Sequence, residues 1–146
     1  MLAHNVRSLW NVGSFFRTSD AFKIEKIYLT GYTGCPPRKE ITKTAIGAEE
    51  FVPWETSRDP MPILHALKDE GFKLVGLELT PDAEDLHAFL PSDKICLIVG
   101  HELTGVPEEI LRICDSVVKI PMLGKKESLN VAVAAGIALH WMRSVD

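Results

Sequence analysis

Short, almost entirely apolar runs alternate along this chain with segments of helical periodicity. KLVGLEL (73–79) and KICLIVG (94–100) are of the first kind, which is typical of strands buried on both faces of a sheet. PMPILHALKDEG (60–71) repeats apolar residues at helical spacing and ends at a glycine. The alternation predicts a single α/β domain over residues 1–146, with a mostly parallel sheet and helices on both of its faces. Further strands are expected at 2–4, 25–31, 51–54 and 117–121, and further helices at 11–22, 107–114 and from Ser128 to Arg143.

The composition is that of an ordinary globular protein, with 46% hydrophobic and 25% charged residues. No apolar run approaches the roughly 18 residues of a membrane span, and MLAHNVRS does not resemble a secretory signal. The three cysteines are odd in number and lack CxxC spacing. They argue against a disulfide framework or a metal site and suggest a cytoplasmic protein.

The charge is unevenly distributed along the chain. The net charge is -4, yet residues 1–43 carry seven Lys/Arg against three Asp/Glu, and the remainder carries nine against seventeen. Such a chain can present one basic face while it is acidic overall. Uneven decoration of the surface would explain the same counts.

The stretch VGHELTGVPEE follows a predicted strand and resembles a nucleotide-binding turn. Gly100 would let the backbone approach a ligand, and Gly105 would allow a tight turn. The stretch lacks both the Lys-Ser/Thr of a P-loop and the GxGxxG of a dinucleotide fold. Taken alone, it predicts a structural strand-to-helix turn.

Two other stretches carry polar residues in apolar surroundings. In NVGSFFRTSD, Asn11 is a candidate helix cap, and Arg17 lies near three phenylalanines in sequence. That neighbourhood predicts a partly buried guanidinium, which would need an anionic partner. In IPMLGKKESLNVAVAAG, Ser128 and Asn130 precede small apolar residues, and Ser128 alone would be an ordinary N-cap.

Taken together, the three stretches are more specific than any one of them. NxGxxxRT at 11–18, VGxExxG at 99–105, and IPM followed by SLNV within 120–131 occur in this order. The set resembles the SPOUT superfamily, and within it the SpoU branch of trefoil-knotted RNA 2′-O-ribose methyltransferases. The resemblance extends over essentially the whole chain, and it implies a deep knot in the C-terminal part of the domain.

The resemblance also implies S-adenosylmethionine as cofactor, an RNA substrate (tRNA or rRNA), a homodimer and no metal. The cofactor would be held largely by backbone groups of three loops, with contacts at Leu79, Gly100, Ile120, Met122 and Leu129. The active site would be completed across the dimer interface. That interface is expected to cover apolar residues of the first and last helices: Trp10, Phe15, Phe16, Leu139, Trp141 and Met142.

The family's polar site residues match Arg17, Asn11, Glu102, Ser128 and Asn130. Arg17 is expected to stabilise the developing alkoxide, and Asn11 and Ser128 to face the ribose. Glu102 and Asn130 are expected to organise the loops. His101 departs from the asparagine common in the family. RNA binding would fall to exposed cations of the catalytic domain: Arg7, Arg38, Lys39, Lys43, Lys125 and Lys126.

Two alternatives remain open at this point. A relative with the same fold could methylate a base atom, although the arginine of NxGxxxRT argues against that branch. A non-catalytic RNA-binding relative could keep the knot without the chemistry, although the presence of Arg17, Glu102 and Asn130 disfavours it.

Overall fold

The structure, a computed structural model, describes residues 1–144. Seven strands form one sheet, and every pairing in it is parallel. The strands are β1 (Leu2–His4), β2 (Ile27–Thr30), β3 (Trp54–Ser57), β4 (Lys73–Leu77), β5 (Glu84–Asp85), β6 (Ile95–Val99) and β7 (Ser116–Lys119). Their order across the sheet is β3-β2-β1-β6-β4-β7-β5.

Helices cover both faces of this sheet. They are α1 (Leu9–Ala21), α2 (Lys39–Ala45), α3 (Met61–Asp69), α4 (Glu108–Leu111) and α5 (Val131–Ser144). Helices α1, α2 and α5 pack on one hydrophobic core, and α3 and α4 on a second. Neighbouring strand residues alternate between the cores: Leu97 belongs to the first, whereas Cys96 and Ile98 belong to the second. The predicted two-sided α/β architecture is confirmed.

The boundaries of two elements differ from the prediction, and others were not predicted. The strand expected at 51–54 begins only at Trp54, because a turn of 3-10 helix occupies Ala48–Glu50 and Pro53 has no N–H for a ladder. This strand does lie at the edge of the sheet. Helix α4 ends at Leu111, although turn-type hydrogen bonds continue to Cys114. Helix α2 and the two-residue strand β5 are absent from the predicted elements.

The last helix begins at Val131, so the prediction that it begins at Ser128 is wrong. Asn130 is the residue that caps it, because its Oδ1 accepts hydrogen bonds from Ala132 N at 2.9 Å and Val133 N at 3.2 Å. Ser128 belongs to the preceding loop, 120–130. No helix within residues 1–144 is long and apolar enough to cross a membrane.

Parallel pairing has one consequence for function. All strands end at the same edge of the sheet, so the loops after β1, β4, β6 and β7 lie close together there. In open parallel sheets this is the edge at which ligands bind.

Candidate active site

A cavity of about 190 Å³ lies where β4, β6 and β7 end. Its walls are mostly apolar and come from the three loops that follow these strands and from the start of α5. All five residues predicted to contact the cofactor line this cavity: Leu79, Gly100, Ile120, Met122 and Leu129. Glu102 and Ser128 line it as well. The structure thus brings together residues that are up to 50 positions apart in the chain.

The turn after β6 is closed on itself. His101 N donates to Gly105 O at 3.2 Å, and Gly105 N donates back to His101 O at 2.9 Å. A Cβ added at Gly100 would lie only 2.3 Å from Gly105 O. The sequence suggested that Gly100 makes room for a ligand. The structure gives a different reason, because the nearest obstruction is the turn itself.

His101 takes over the hydrogen bonds that an asparagine side chain could accept in this turn. Its Nδ1 accepts from Leu103 N at 2.9 Å and from Thr104 N at 3.2 Å. In this arrangement Nδ1 is the acceptor nitrogen of the ring, and Nε2 is left for other contacts. The ring also meets the exposed ring of Tyr32 edge-on, with 6.4 Å between the ring centres.

Glu102 connects the turn after β6 to the loop after β1. Its Oε2 accepts from Arg7 N at 3.0 Å, and its Oε1 accepts from Ser8 N at 2.9 Å and from Asn11 Nδ2 at 3.1 Å. Asn130 Nδ2 in turn donates to Asn11 Oδ1 at 3.2 Å. We call the hydrogen bonds among Glu102, Asn11 and Asn130 the Glu102 network. Through it, three loops that are distant in the sequence are joined by direct hydrogen bonds.

This network explains the state of the Glu102 carboxylate. Partial burial raises the pKa of Glu102, but the hydrogen bonds from Ser8 N, Arg7 N and Asn11 outweigh it, and the net pKa lies below the usual value. Asn11, expected to face the ribose, instead uses both ends of its amide inside the network. The cap of α1 is Ser8, whose Oγ accepts from Asn11 N at 3.3 Å.

Arg17 lies apart from this cavity. It is exposed on α1, and no hydrogen bond or ion pair to it is found within residues 1–144. The expected burial among phenylalanines is wrong for Phe15 and Phe16, which point into the core. Consecutive residues of a helix face different directions, so neighbours in sequence are not neighbours in space. Phe22 alone lines the same groove as Arg17.

That groove runs between α1 and α5 and is largely apolar. Three of its hydrophobic residues are strongly exposed: Trp10 at 48%, Val133 at 51% and Ile137 at 40%. Of the residues expected to be exposed on these helices, Trp10 is exposed, but the expectation is wrong for Phe15, Phe16 and Leu139, which are buried. Leu139 is only 3% exposed, and the Trp141 indole N–H donates to Phe89 O at 3.1 Å.

The six cations predicted to bind RNA are all exposed, and none is in an ion pair with a residue of the described chain: Arg7, Arg38, Lys39, Lys43, Lys125 and Lys126. Arg7 lines a cleft of about 400 Å³ that shares His101 and Glu102 with the cofactor cavity. Lys43 Nζ lies 5.7 Å from the centre of the Trp10 ring. Lys125 and Lys126 lie on the loop between β7 and α5.

Glu78 also lines the cavity, although it is not among the predicted site residues. The signal for it in the sequence is a single acid within the otherwise apolar run LVGLEL, at a strand end. Within residues 1–144, no cluster of His, Cys, Asp or Glu side chains has the geometry of a metal site.

Comparison with known proteins shows what this arrangement is similar to. The chain is 32% identical over 133 residues to the 23S rRNA (guanosine-2′-O-)-methyltransferase of Neisseria meningitidis, an alignment that covers 91% of this chain and 53% of that protein. It is 32% identical over 139 residues to the tRNA (guanosine(18)-2′-O)-methyltransferase of Thermus thermophilus, covering 95% of this chain and 71% of that protein. The chain therefore spans about half the length of the first relative.

A solved structure gives the same result for the fold. The AdoMet-bound rRNA methyltransferase of Sinorhizobium meliloti matches with a TM-score of 0.91 at 28% identity, covering 97% of this chain and 54% of that one. This match confirms the predicted fold class and supports the knot that the resemblance implies. Residues 1–140 also match the model of the SpoU rRNA Methylase family. The chain belongs to the SpoU rRNA methylase family.

Proposed function

We propose that this protein transfers a methyl group from S-adenosylmethionine to a ribose 2′-hydroxyl of tRNA or rRNA. The observation that carries the proposal is the single cavity in which the loops after β4, β6 and β7 meet, lined by all five predicted cofactor contacts. The named activities of the Neisseria and Thermus relatives support it.

The residues of the cavity fit this cofactor. Leu79, Ile120 and Met122 offer apolar walls to an adenine ring, and Glu78 and Glu102 place carboxylates beside a ligand that carries positive charge. When bound, S-adenosylmethionine supplies a methyl group that is already electrophilic. The protein has to position the nucleophile and assist the loss of its proton.

Arg17 is the residue we assign to the hydroxyl. A guanidinium has a pKa above about 12, so it does not act as a base at neutral pH. It can instead stabilise the developing alkoxide and bind a neighbouring phosphate of the RNA. Because Arg17 has no ion-pair partner within residues 1–144, we assign its donors to this purpose.

Arg17 lies apart from the cavity of its own protomer, but in a homodimer it would act at the cavity of the partner. Arg17 lines the α1–α5 groove, where Trp10, Val133 and Ile137 leave an apolar surface open. A second copy that covers this surface would bury these side chains and carry Arg17 towards the partner's cavity. The active site would then consist of the cofactor cavity of one protomer and Arg17 of the other.

We assign RNA binding to the exposed cations near this site. Arg7 lies in the cleft next to the cofactor cavity, and α2 begins on the other side of that cleft, where Glu40 lines it. Phosphate contacts from Arg38, Lys39 and Lys43 would make RNA affinity fall as salt is raised. A cytoplasmic location, suggested by the cysteine content, is part of the same proposal.

The test is methyl transfer from labelled S-adenosylmethionine to bulk tRNA and to bulk rRNA, followed by mapping of 2′-O-methyl positions. We expect label on a ribose of one RNA class and strongly reduced labelling with the Arg17→Ala variant. RNA binding without any transfer would indicate a non-catalytic RNA-binding protein instead. Label on a base atom would assign the protein a different reaction.

A further inference from the structure

Glu78 is a charged residue held in a fixed position at the wall of the cofactor cavity. It follows β4 directly, and its own N–H donates to Val118 O at 3.0 Å. Its Oε2 accepts from Val106 N at 2.8 Å, and its Oε1 accepts from Leu79 N at 3.0 Å. The carboxylate therefore bridges the loop after β4 and the end of the turn after β6.

The neighbouring glycine shows how closely this carboxylate fits. Gly105 has φ +73°, and a Cβ added to it would lie 1.9 Å from Glu78 Oε2. The carboxylate thus occupies the space beside Gly105 that a side chain would otherwise fill. Two backbone hydrogen bonds and this close packing fix the position of the charge.

The charge of Glu78 is not neutralised by a nearby cation. No ion pair within residues 1–144 includes it. Lys119 also lines the cavity, but its Nζ lies 3.9 Å from Asp85 Oδ1. The second cavity carboxylate, Glu102, is tied to donors of the β1 loop and α1, whereas Glu78 is held by the two loops that border the cavity. Glu78 therefore brings a negative charge to a partly enclosed cavity whose walls are somewhat more apolar than polar.

We propose that Glu78 makes this cavity discriminate by charge between S-adenosylmethionine and its demethylated product. The inference rests on the proposed function. The two ligands differ by one methyl group and by the charge at sulfur: the cofactor has a cationic sulfonium, and the product has a neutral thioether. A fixed carboxylate attracts the cation and leaves the neutral sulfur almost unaffected, and the low dielectric of an apolar cavity strengthens the difference. Glu78 would thus be a specificity-determining residue that favours exchange of product for fresh cofactor.

Calorimetry with three ligands tests this directly: S-adenosylmethionine, S-adenosylhomocysteine, and sinefungin, which has an ammonium group in place of the methylsulfonium. In Glu78→Gln the side-chain oxygen can still accept from Val106 N, while the bond from Leu79 N and the charge are lost. We expect the Kd of both cationic ligands to rise roughly 10-fold, since loss of a charge partner in a low-dielectric site has effects of this order. The Kd of S-adenosylhomocysteine should stay within about twofold.

The controls separate charge from folding. Glu84→Gln removes an exposed carboxylate on β5 and should change none of the three affinities. Glu78→Asp keeps the charge and should keep the preference for cationic ligands, even if all three bind more weakly. Equal weakening of all three ligands by Glu78→Gln, or no weakening, would overturn the inference while leaving the proposed function intact. Failure of the wild-type protein to bind any of the three would overturn both.

Discussion

Asn11 and Glu102 are 91 positions apart in the sequence and are joined by a hydrogen bond of 3.1 Å from the asparagine Nδ2 to the carboxylate Oε1. The same carboxylate oxygen accepts from Ser8 N, and the other oxygen accepts from Arg7 N. Since Asn130 donates to Asn11, the beginning of α5 is tied to the same point. The geometry of the cofactor cavity therefore depends on one side chain of the turn after β6.

Glu102→Gln should destabilise the protein. A glutamine replaces one acceptor oxygen with an NH₂ group, so at least one of the donors from Arg7, Ser8 and Asn11 loses its partner. We expect the free energy of unfolding to fall by about 1–3 kcal/mol in denaturant titrations. Glu108→Gln is the matched control, because the Glu108–Arg112 pair is exposed and should contribute at most about 0.5 kcal/mol. Equal effects of the two substitutions would contradict the structural importance of the network.

The contribution of Glu102 should depend on pH with a definite sign. Its pKa in the folded protein is lowered from the ordinary 4.5. A carboxyl whose pKa is lowered by folding stabilises the protein fully above its unfolded pKa, and this stabilisation is lost as the pH falls through the folded pKa. The difference in unfolding free energy between wild type and Glu102→Gln should therefore be constant from neutral pH to about pH 5 and shrink below about 4.5. A difference that grows on acidification would exclude this explanation.

Gly100→Ala should abolish cofactor binding by disrupting a turn. The added Cβ would overlap Gly105 O, which is backbone and cannot move without opening the turn. We expect at least about a 100-fold loss of S-adenosylmethionine affinity by calorimetry, since a misplaced turn misplaces every contact made by it. Gly124→Ala lies in the loop before α5, and nothing lies within 4 Å of its added Cβ. It should bind the cofactor like wild type.

Arg17→Ala should leave the fold and the cofactor affinity nearly unchanged, because the side chain is exposed and does not line the cofactor cavity. The single-turnover methylation rate at saturating RNA and cofactor should fall about 100-fold or more, the effect expected from loss of one preorganised charge-stabilising donor. Arg17→Lys should restore little of it, since an ammonium lacks the bidentate geometry of a guanidinium. Lys125→Ala should instead weaken RNA binding and flatten its salt dependence. If Arg17→Ala reduces RNA affinity alone, Arg17 is a docking residue.

Ile137→Glu should convert a dimer into monomers of 16.2 kDa in light scattering, because it places a charge at the centre of the exposed α1–α5 groove. Cofactor binding should survive, since Ile137 does not line the cofactor cavity, and methyl transfer should be lost. Leu90→Glu is the control: Leu90 is 81% exposed and lies outside the groove. A wild-type protein that is monomeric and active at micromolar concentration would refute the shared site.

A mixing experiment asks which protomer supplies Arg17. Arg17→Ala and Gly100→Ala should each be inactive alone. If Arg17 acts on the partner's cavity, a heterodimer of the two variants contains one intact site and regains about half of the activity. If Arg17 acts in its own protomer, no heterodimer site is intact and the mixture stays inactive.

The central strands β4 and β6 could be predicted from the sequence because they are nearly uniform apolar runs, whereas the edge strand β5 is two exposed acidic residues and carries no such pattern. The cofactor cavity was predictable for a related reason, since strand ends at Leu77, Val99 and Lys119 fall on one edge of a parallel sheet. Helix α2 carries a weaker pattern. It has only seven residues and buries only Ile41 and Ala45, which is too short a segment for helical periodicity to stand out.

Other features depend on contacts between distant residues, which a local pattern does not contain. The start of α5 is an example, because serine and asparagine are both favoured N-cap residues and the sequence offers Ser128 and Asn130. In the structure Asn130 is the cap, and its side chain also donates a hydrogen bond to Asn11, 119 positions away. Arg17 is another. Its neighbours in sequence suggested a buried cation, but the sheet lies on the opposite side of α1 and only Phe15 and Phe16 reach it.

The position of Asn130 and its loop also determines at which stage of translation all the residues of the cavity are present. One wall of the cavity is formed by Ile120, Met122 and Leu129, and these residues are translated after β7. Asn130, which donates a hydrogen bond to Asn11, is translated after β7 as well. A nascent chain that has emerged only as far as β7 contains all seven strands but lacks this wall of the cavity. We therefore expect cofactor binding to begin only after the segment from Ile120 to Asn130 has been translated.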